Sequence, residues 1–247
     1  MRKFFLLILV SVLSIIPFKV NAQDDFVLIS EETKYYKTIT YSKYDSQKLS
    51  ALNNSVTVEI TEKEYNEADV NNTKSNPTVS ETTYKRMTSY ILTNGSYYRY
   101  KNVLSWKNMP AVRSYDIIGI GFLQSVKVHN NTTYFEQYYC YNGGSCYTTS
   151  TNYPQIFVSG AGTSFKLPTG DLNTLKQTFY FDVEKNTSST IITQKAYSDY
   201  AHATSSISLA NSKKYSVIQS GGIVLDTSVS SYYDSIAEAV ATWTGSW

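Results

Sequence analysis

The chain has 247 residues, of which 42% are hydrophobic, 17% are charged and 23 are tyrosine. Its 11 Gly and 5 Pro are too few for a collagen-like or proline-rich disordered chain. The abundance of Tyr, Val and Ile also excludes disorder along the whole chain, because a sequence with so many large apolar groups can bury a core. Composition alone identifies no reaction.

The first 22 residues have the pattern of a secretory signal peptide. A basic start precedes a nearly unbroken apolar run from Phe4 to Ile16, and Val20-Asn21-Ala22 forms a small-residue cleavage site. We predict cleavage after Ala22, which leaves 23–247 as a single β-rich domain that is secreted or extracytoplasmic. An uncleaved anchor is the alternative. No later stretch approaches the roughly 18 apolar residues of a spanning helix, so we predict no transmembrane span in the mature chain.

Removal of this leader changes the charge. The whole chain has 22 Lys plus Arg against 20 Asp plus Glu, which gives a net charge of +2. Cleavage removes three basic residues and no acidic one, so the net charge of the mature chain becomes −1. Nucleic-acid-binding proteins neutralise phosphates with a basic patch. We therefore predict no nucleic-acid partner, and we interpret the isolated pairs Lys85-Arg86 and Lys213-Lys214 as solvated strand positions.

The two cysteines predict a hairpin that is closed by a disulfide. Cys140 and Cys146 flank an Asn-Gly-Gly sequence at 142–144, which is typical of a turn because Gly adopts positive φ without steric cost. Strand-like residues on both sides predict a β-hairpin over 133–149. An exported protein meets an oxidising compartment, so we predict a Cys140–Cys146 disulfide. The spacing does not fit a Cys-x-x-Cys redox motif, and a metal site would have only two histidines as further ligands.

Alternation of apolar and polar residues predicts an all-β fold along most of the chain. Asn94-Gly95 is a strong hairpin signal within 81–106, and a two-residue turn there would pair Leu92 with Tyr97. The continuously apolar segment from Tyr115 to Phe122 predicts a buried strand. Further strands are predicted at 34–41, 56–60, 125–139 (with a break near 130–131), 155–159, 176–184, 189–197, 203–209 and 213–219.

Two segments depart from this pattern. Residues 66–78 contain few apolar side chains, which predicts a surface loop or a linker. The segment before them is too short for a core of its own, so we favour one antiparallel β-sandwich whose first strands join the later sheet. Ser231 and Asp234 have the spacing of a helix N-cap and its acidic partner, and apolar residues follow at roughly helical intervals. We predict a short C-terminal helix at 231–243, with a final strand as the alternative.

Residues that could carry catalysis are few. The sequence contains no Gly-x-Ser-x-Gly, His-Glu-x-x-His, Walker or EF-hand motif. One alternative function is an exported hydrolase that uses His129 or His202 with an acid such as Asp116 or Asp199. Another is a small outer-membrane β-barrel, which the tyrosines and the terminal Trp247 suggest. We assign no catalytic residue, cofactor or metal ligand.

Tyrosine is the residue type that most suggests an interaction surface. Neighbouring side chains of a strand point to opposite faces, so Tyr138 and Tyr139 cannot both enter one core. An exposed Tyr offers a large, rigid contact area with a polar tip. We therefore predict that Tyr139, Tyr141 and Tyr147, around the tip of the disulfide hairpin, form the interaction surface of a non-enzymatic β-sandwich. The predicted partner is a protein or a carbohydrate.

Overall fold

The computed structural model describes residues 25–41, 55–68, 79–219 and 222–247, and β-strands joined by loops make up most of these ranges, with two short helices. The predicted signal peptide and most of the predicted loop at 66–78 lie outside them. In chain order the elements are β1 (Val27–Tyr41), β2 (Ser55–Ile60), α1 (Glu62–Glu67), β3 (Val79–Thr93), β4 (Tyr98–Trp106), β5 (Tyr115–Phe122), β6 (Val126–Val128), β7 (Tyr134–Tyr141), β8 (Cys146–Thr149), β9 (Tyr153–Phe157), β10 (Gly160–Lys166), β11 (Leu172–Lys185), β12 (Thr193–Ala201), α2 (Leu209–Ser212), β13 (Tyr215–Ile218), β14 (Gly222–Leu225), a 3-10 turn (Ser230–Tyr232) and β15 (Ala237–Thr244).

The strands form two main antiparallel sheets, which confirms the all-β prediction. The larger sheet has the order β2-β1-β3-β4-β11-β7-β8, with β6 paired to the end of β11. The smaller sheet has the order β15-β12-β5-β10-β9. Strands β1 and β3 pair with each other and β3 pairs with β4, so the first strands do join the later sheet. Two antiparallel sheets that face each other across a core are the arrangement of a β-sandwich.

The main core lies between these two sheets. Along β4 buried residues alternate with half-buried ones from end to end, the period of a strand with one face on a core. Ile91 and Leu104 of the larger sheet and Ile118, Ile120 and Phe122 of the smaller sheet are fully buried in this core. Removal of this apolar surface from water, at about 25 cal/mol per Å², holds the sheets together.

A third layer explains why β5 is continuously apolar. Strands β13 and β14 form a separate two-stranded hairpin, and it covers the face of the smaller sheet that points away from the main core. Ile117 belongs to one buried cluster with Val217 and Ile223 of this hairpin, whereas Ile118 faces the main core. Both faces of β5 are therefore buried, and the buried strand that the sequence predicts is confirmed.

The hairpin at 81–106 is confirmed, although its turn is longer than the two residues that Asn94-Gly95 predicts. Leu92 pairs with Arg99 rather than with Tyr97. The Asn94 side chain accepts hydrogen bonds from the backbone N–H groups of Ser96 and Tyr97, at 3.0 and 2.9 Å. This Asx-type turn takes two further residues out of the ladder. The hairpin at 133–149 is confirmed as β7 and β8.

The predicted C-terminal helix at 231–243 is wrong. One 3-10 turn is followed by β15, which pairs antiparallel with β12 along its whole length. Ala237, Ala239 and Ala241 are buried at alternate positions, as one face of a strand requires. Pairing with β12 and packing of these small side chains outweigh the helix preference of alanine.

Two other parts of the strand prediction need correction. The predicted strand at 203–209 is wrong, since this segment has only an isolated bridge at Ala203 and then enters α2. The sequence does not predict β10, because Gly160-Ala161-Gly162 has the composition of a turn. These glycines lie in a regular strand opposite β5, under the third layer.

We expect Gly121→Ala to lower the free energy of unfolding by about 1–3 kcal/mol, the usual cost of overpacking. A Cβ at Gly121 would lie 2.5 Å from the carbonyl oxygen of Ile218 in β13, so the third layer has to move. The control is Gly144→Ala in the exposed tip at 142–144, where the nearest atom is 3.4 Å away. We expect the control to change stability by less than about 0.5 kcal/mol in chemical denaturation. Equal stability of the two variants would contradict this packing.

Asp199 of β12 anchors the third layer. Its Oδ2 accepts a hydrogen bond of 2.6 Å from the backbone N–H of Ile223. Gly222 has φ +58° and lies so close that a Cβ there would be 2.2 Å from the Asp199 carboxyl group. Burial raises the pKa of the Asp199 carboxyl group well above its ordinary value, although the hydrogen bond from Ile223 opposes the shift.

The raised pKa of Asp199 makes the protein less stable as the pH rises. A carboxyl group whose pKa is higher in the folded state stabilises fully below its unfolded value of about 3.9, and this contribution is lost as the pH rises through the folded-state pKa. We expect the stability of Asp199→Asn to decrease less as the pH rises, because the asparagine side chain does not titrate. Urea denaturation of both proteins at several pH values measures how the free energy of unfolding depends on pH. The same pH dependence in both proteins would contradict the raised pKa of Asp199.

Candidate functional site

Burial decreases along the inward face of β7. Phe135 and Gln137 are buried, whereas Tyr139 and Tyr141, further along the same face, are half-buried. Alternate residues of a strand share a face, so these two tyrosines continue the core face past the part that the smaller sheet covers. Tyr138 lies on the opposite face, as alternation predicts.

Tyr147 of β8 joins these two residues to form one aromatic surface. It lies opposite Tyr139 in the strand register, and the two rings stack with centroids 5.7 Å apart. The Tyr141 ring is nearly perpendicular to both, at 5.8 Å and 5.9 Å. We call Tyr139, Tyr141 and Tyr147 the tyrosine cluster. Each such ring contact stabilises by about 0.5–1.5 kcal/mol, and Tyr147 remains 50% exposed, so the cluster is a preformed surface.

The Cys140–Cys146 disulfide is confirmed, and it closes the hairpin directly beside the tyrosine cluster. The two cysteines lie opposite each other in the register of β7 and β8. The tip is also held from the outside, because the Asn142 side chain donates a 2.7 Å hydrogen bond to Asp171 Oδ1 and the Asn142 backbone N–H donates to the Asp171 carbonyl oxygen. The tip is therefore fixed to the loop before β11.

A groove of about 270 Å³ begins at Tyr139 and runs between the hairpin and the smaller sheet. The rings of Tyr115 and Tyr153 lie on its other wall, with centroids 6.4 Å apart. Within the described residues, the hydroxyl groups of Tyr115, Tyr139 and Tyr153 take part in no hydrogen bond. The groove is lined by Tyr115, Gln137, Tyr139, Thr149, Thr151, Tyr153, Lys166 and Pro168.

The groove has aromatic faces and hydroxyl groups but little charge. Among the described residues that line it, Lys166 is the only charged one. The Nζ atom of Lys213 lies 4.6 Å from the centroid of the Tyr153 ring, a cation–π contact at the rim. Among the described residues, no cluster of His, Cys, Asp and Glu side chains is arranged to hold a metal ion. The groove can therefore offer ring faces, hydroxyl groups and weak positive charge to a ligand.

The two histidines lie in different environments. His129 is partly exposed, with Nδ1 2.7 Å from Glu184 Oε2 and its ring against Tyr97. His202 is only 4% exposed, and its Nδ1 lies 2.9 Å from Asp116 Oδ2. The Trp106 ring packs edge-on against the His202 ring at 5.1 Å.

This geometry does not favour the hydrolase alternative at His202. Asp116 orients His202 as an acid orients a catalytic histidine, but the pair is enclosed by protein and a substrate would have to reach it through the core. Asp199, the other candidate acid, instead binds the backbone N–H of Ile223 in the third layer.

The interpretation of Lys85-Arg86 as two solvated positions is wrong for Lys85. Arg86 is exposed, but Lys85 is fully buried, with Nζ 2.6 Å from Asp234 Oδ2. The sequence itself indicates that Lys85 is buried. Lys85, Met87 and Ile91 occupy alternate positions of β3, so their side chains share the face that points to the core.

Comparison with known proteins gives only distant similarity. No protein family and no curated protein matches the sequence. A collagen-binding domain of the Erysipelothrix rhusiopathiae surface protein RspB aligns at 10% identity and a TM-score of 0.30, over 66% of this chain and 65% of that one. AvmM, which catalyses macrocyclization in alchivemycin A biosynthesis, aligns at 9% identity and a TM-score of 0.27, over 60% and 80%. Similarity at this level supports no functional argument.

We expect the double variant Cys140→Ser, Cys146→Ser to lose about 2 kcal/mol of unfolding free energy, because the disulfide closes a short loop in the unfolded chain. Calorimetry of the variant and of the oxidised wild type measures the difference. An unchanged melting temperature would show that the aromatic contacts and the Asn142–Asp171 hydrogen bonds hold the hairpin without the disulfide.

Proposed function

We propose that this protein is an extracytoplasmic, non-enzymatic β-sandwich that binds a carbohydrate chain through the tyrosine cluster and the adjoining groove. The observation that carries this proposal is the set of tyrosines around one groove, where exposed Tyr147 stacks on Tyr139 and the Tyr115–Tyr153 pair lies on the other wall. The disulfide and the tip contacts hold this surface in one arrangement, which lowers the entropy cost of binding.

The chemistry of the groove favours a sugar over a protein partner. A pyranose ring has apolar C–H faces, which can stack on tyrosine, and a rim of hydroxyl groups, which can bond to Tyr and Thr hydroxyls. At about 270 Å³ the groove lies just below the range of about 300–1,000 Å³ that small-molecule sites occupy. A stable protein interface needs about 800 Å² from each partner, so a protein ligand would have to cover the surface around the groove as well.

Two features of the chain support the proposed location outside the cytoplasm. The first 22 residues have the pattern of a signal peptide, and the disulfide is of the kind that forms and persists in oxidising compartments. Within the described ranges, no helix has the length and apolar character that a bilayer crossing requires. We infer that the chain from residue 23 onward folds as one exported domain.

We expect the double variant Tyr141→Ala, Tyr147→Ala to weaken glycan binding at least tenfold, which corresponds to about 1.4 kcal/mol. Neutral and acidic glycans on an array identify the sugar, and titration calorimetry with that sugar measures the affinity. Tyr134→Ala is the matched control, since Tyr134 is a 38% exposed tyrosine on the opposite face of β7. Its affinity should equal that of the wild type.

Two results would contradict the proposal. If no glycan on the array binds the folded wild-type protein, carbohydrate is not the ligand. If a glycan binds with the same affinity to the wild type and to the double variant, the sugar site lies elsewhere and the tyrosine cluster serves only to stabilise the hairpin.

A further inference from the structure

Lys85 and Asp234 form an ion pair that is sealed inside the protein. Both side chains are 0% exposed, and Nζ lies 2.6 Å from Oδ2. Lys85 belongs to β3 of the larger sheet, whereas Asp234 precedes β15 at the edge of the smaller sheet. The two residues are 149 positions apart in the sequence. A bond between them would join the two sheets directly.

The surroundings of this pair are aromatic. The Lys85 Nζ atom lies 5.2 Å from the centroid of the Trp106 ring and 5.4 Å from that of the Tyr200 ring. In an enclosure of this kind, two separated charges carry a large desolvation penalty. Transfer of one proton from Nζ to Oδ2 removes both charges and leaves an amine and a carboxylic acid. These are the forms that react to give an amide.

We propose that Lys85 and Asp234 condense into an intramolecular isopeptide bond. The lone pair of Nζ attacks Cγ of Asp234, the Nζ–Cγ bond forms and the Cγ–Oδ2 bond breaks. Oδ2 leaves as water, and both of its protons come from the Lys85 ammonium group, which keeps its third proton as the amide N–H. No oxidant, reductant or cofactor is needed.

The hydrogen bonds around Asp234 suit this reaction. Oδ1 accepts a 2.9 Å hydrogen bond from the backbone N–H of His202, a donor placed to stabilise the negative charge that Oδ1 carries in the tetrahedral intermediate. Oδ2 accepts hydrogen bonds from the hydroxyl groups of Thr57 and Thr38, at 3.2 and 3.4 Å. The oxygen that leaves is therefore the one beside the amine and the two hydroxyl groups.

The fixed position of the two groups raises the rate of the attack. Since Oδ2 is bonded to Cγ, the amine nitrogen lies at contact range from the carbon that it attacks. Groups held in this way react as though their concentration were about 10⁵ M or more. Burial also keeps bulk water away from the product, so that hydrolysis does not reverse the step.

Intact-mass spectrometry of the purified full chain tests the proposal. We expect the wild-type mass to lie below the value calculated for the disulfide-bonded sequence by the mass of one water molecule. Tandem mass spectrometry of a proteolytic digest should find the peptide of Lys85 joined to the peptide of Asp234. Lys85→Met should have the mass calculated for its sequence. It should also migrate more slowly in a denaturing gel, because its unfolded chain lacks the cross-link between two residues 149 positions apart.

The matched control is Lys34→Met. Lys34 forms an ion pair of 3.2 Å with Glu59 on the surface, and this variant should keep the loss of one water molecule. A wild-type mass equal to the calculated value would overturn the proposal, and so would a loss of water that the digest maps to other residues. Both results come from the wild-type protein, so they do not depend on the folding of Lys85→Met. They are also independent of glycan binding.

Discussion

The buried carboxylate of Asp234 is the contact on which the alignment of the two sheets depends. Its Oδ2 meets Lys85 of β3, while its Oδ1 accepts the backbone N–H of His202 just after β12. One side chain therefore fixes a central strand of the larger sheet, the end of β12 and the start of β15. A buried ion pair that loses one partner costs about 3–5 kcal/mol, so the positions of these three elements are coupled.

The sequence predicts those parts of the fold that depend on local patterns. Alternation places most strands, and Asn94-Gly95 marks its hairpin because turn chemistry acts within a few residues. The errors come from contacts between distant segments. Alanines in β15 suit a helix until pairing with β12 is known, and Gly160 in β10 suggests a break until the third layer is known. A single sequence does not show which segments will meet.

The same limit applies to the candidate site. Tyr139, Tyr141 and Tyr147 could be predicted together because one hairpin brings them together. The groove could not be predicted, since Tyr115 and Tyr153 reach it from β5 and β9 of the other sheet. Lys85 is an intermediate case. Its position in the alternation of β3 indicates the core face. Its partner Asp234 is known only from the fold, and a lysine is rarely buried without such a partner.

Under the proposed function, the position of the groove favours contacts through side chains over strand addition. It lies beside β8 and β9, which are the edge strands of the two sheets. Edge strands readily pair with other chains, and short length and proline both oppose such pairing. Strand β8 has four residues and is closed by the disulfide, and β9 has five residues and contains Pro154. With backbone pairing opposed at both edges, the tyrosine rings are the surface that remains for a ligand to contact.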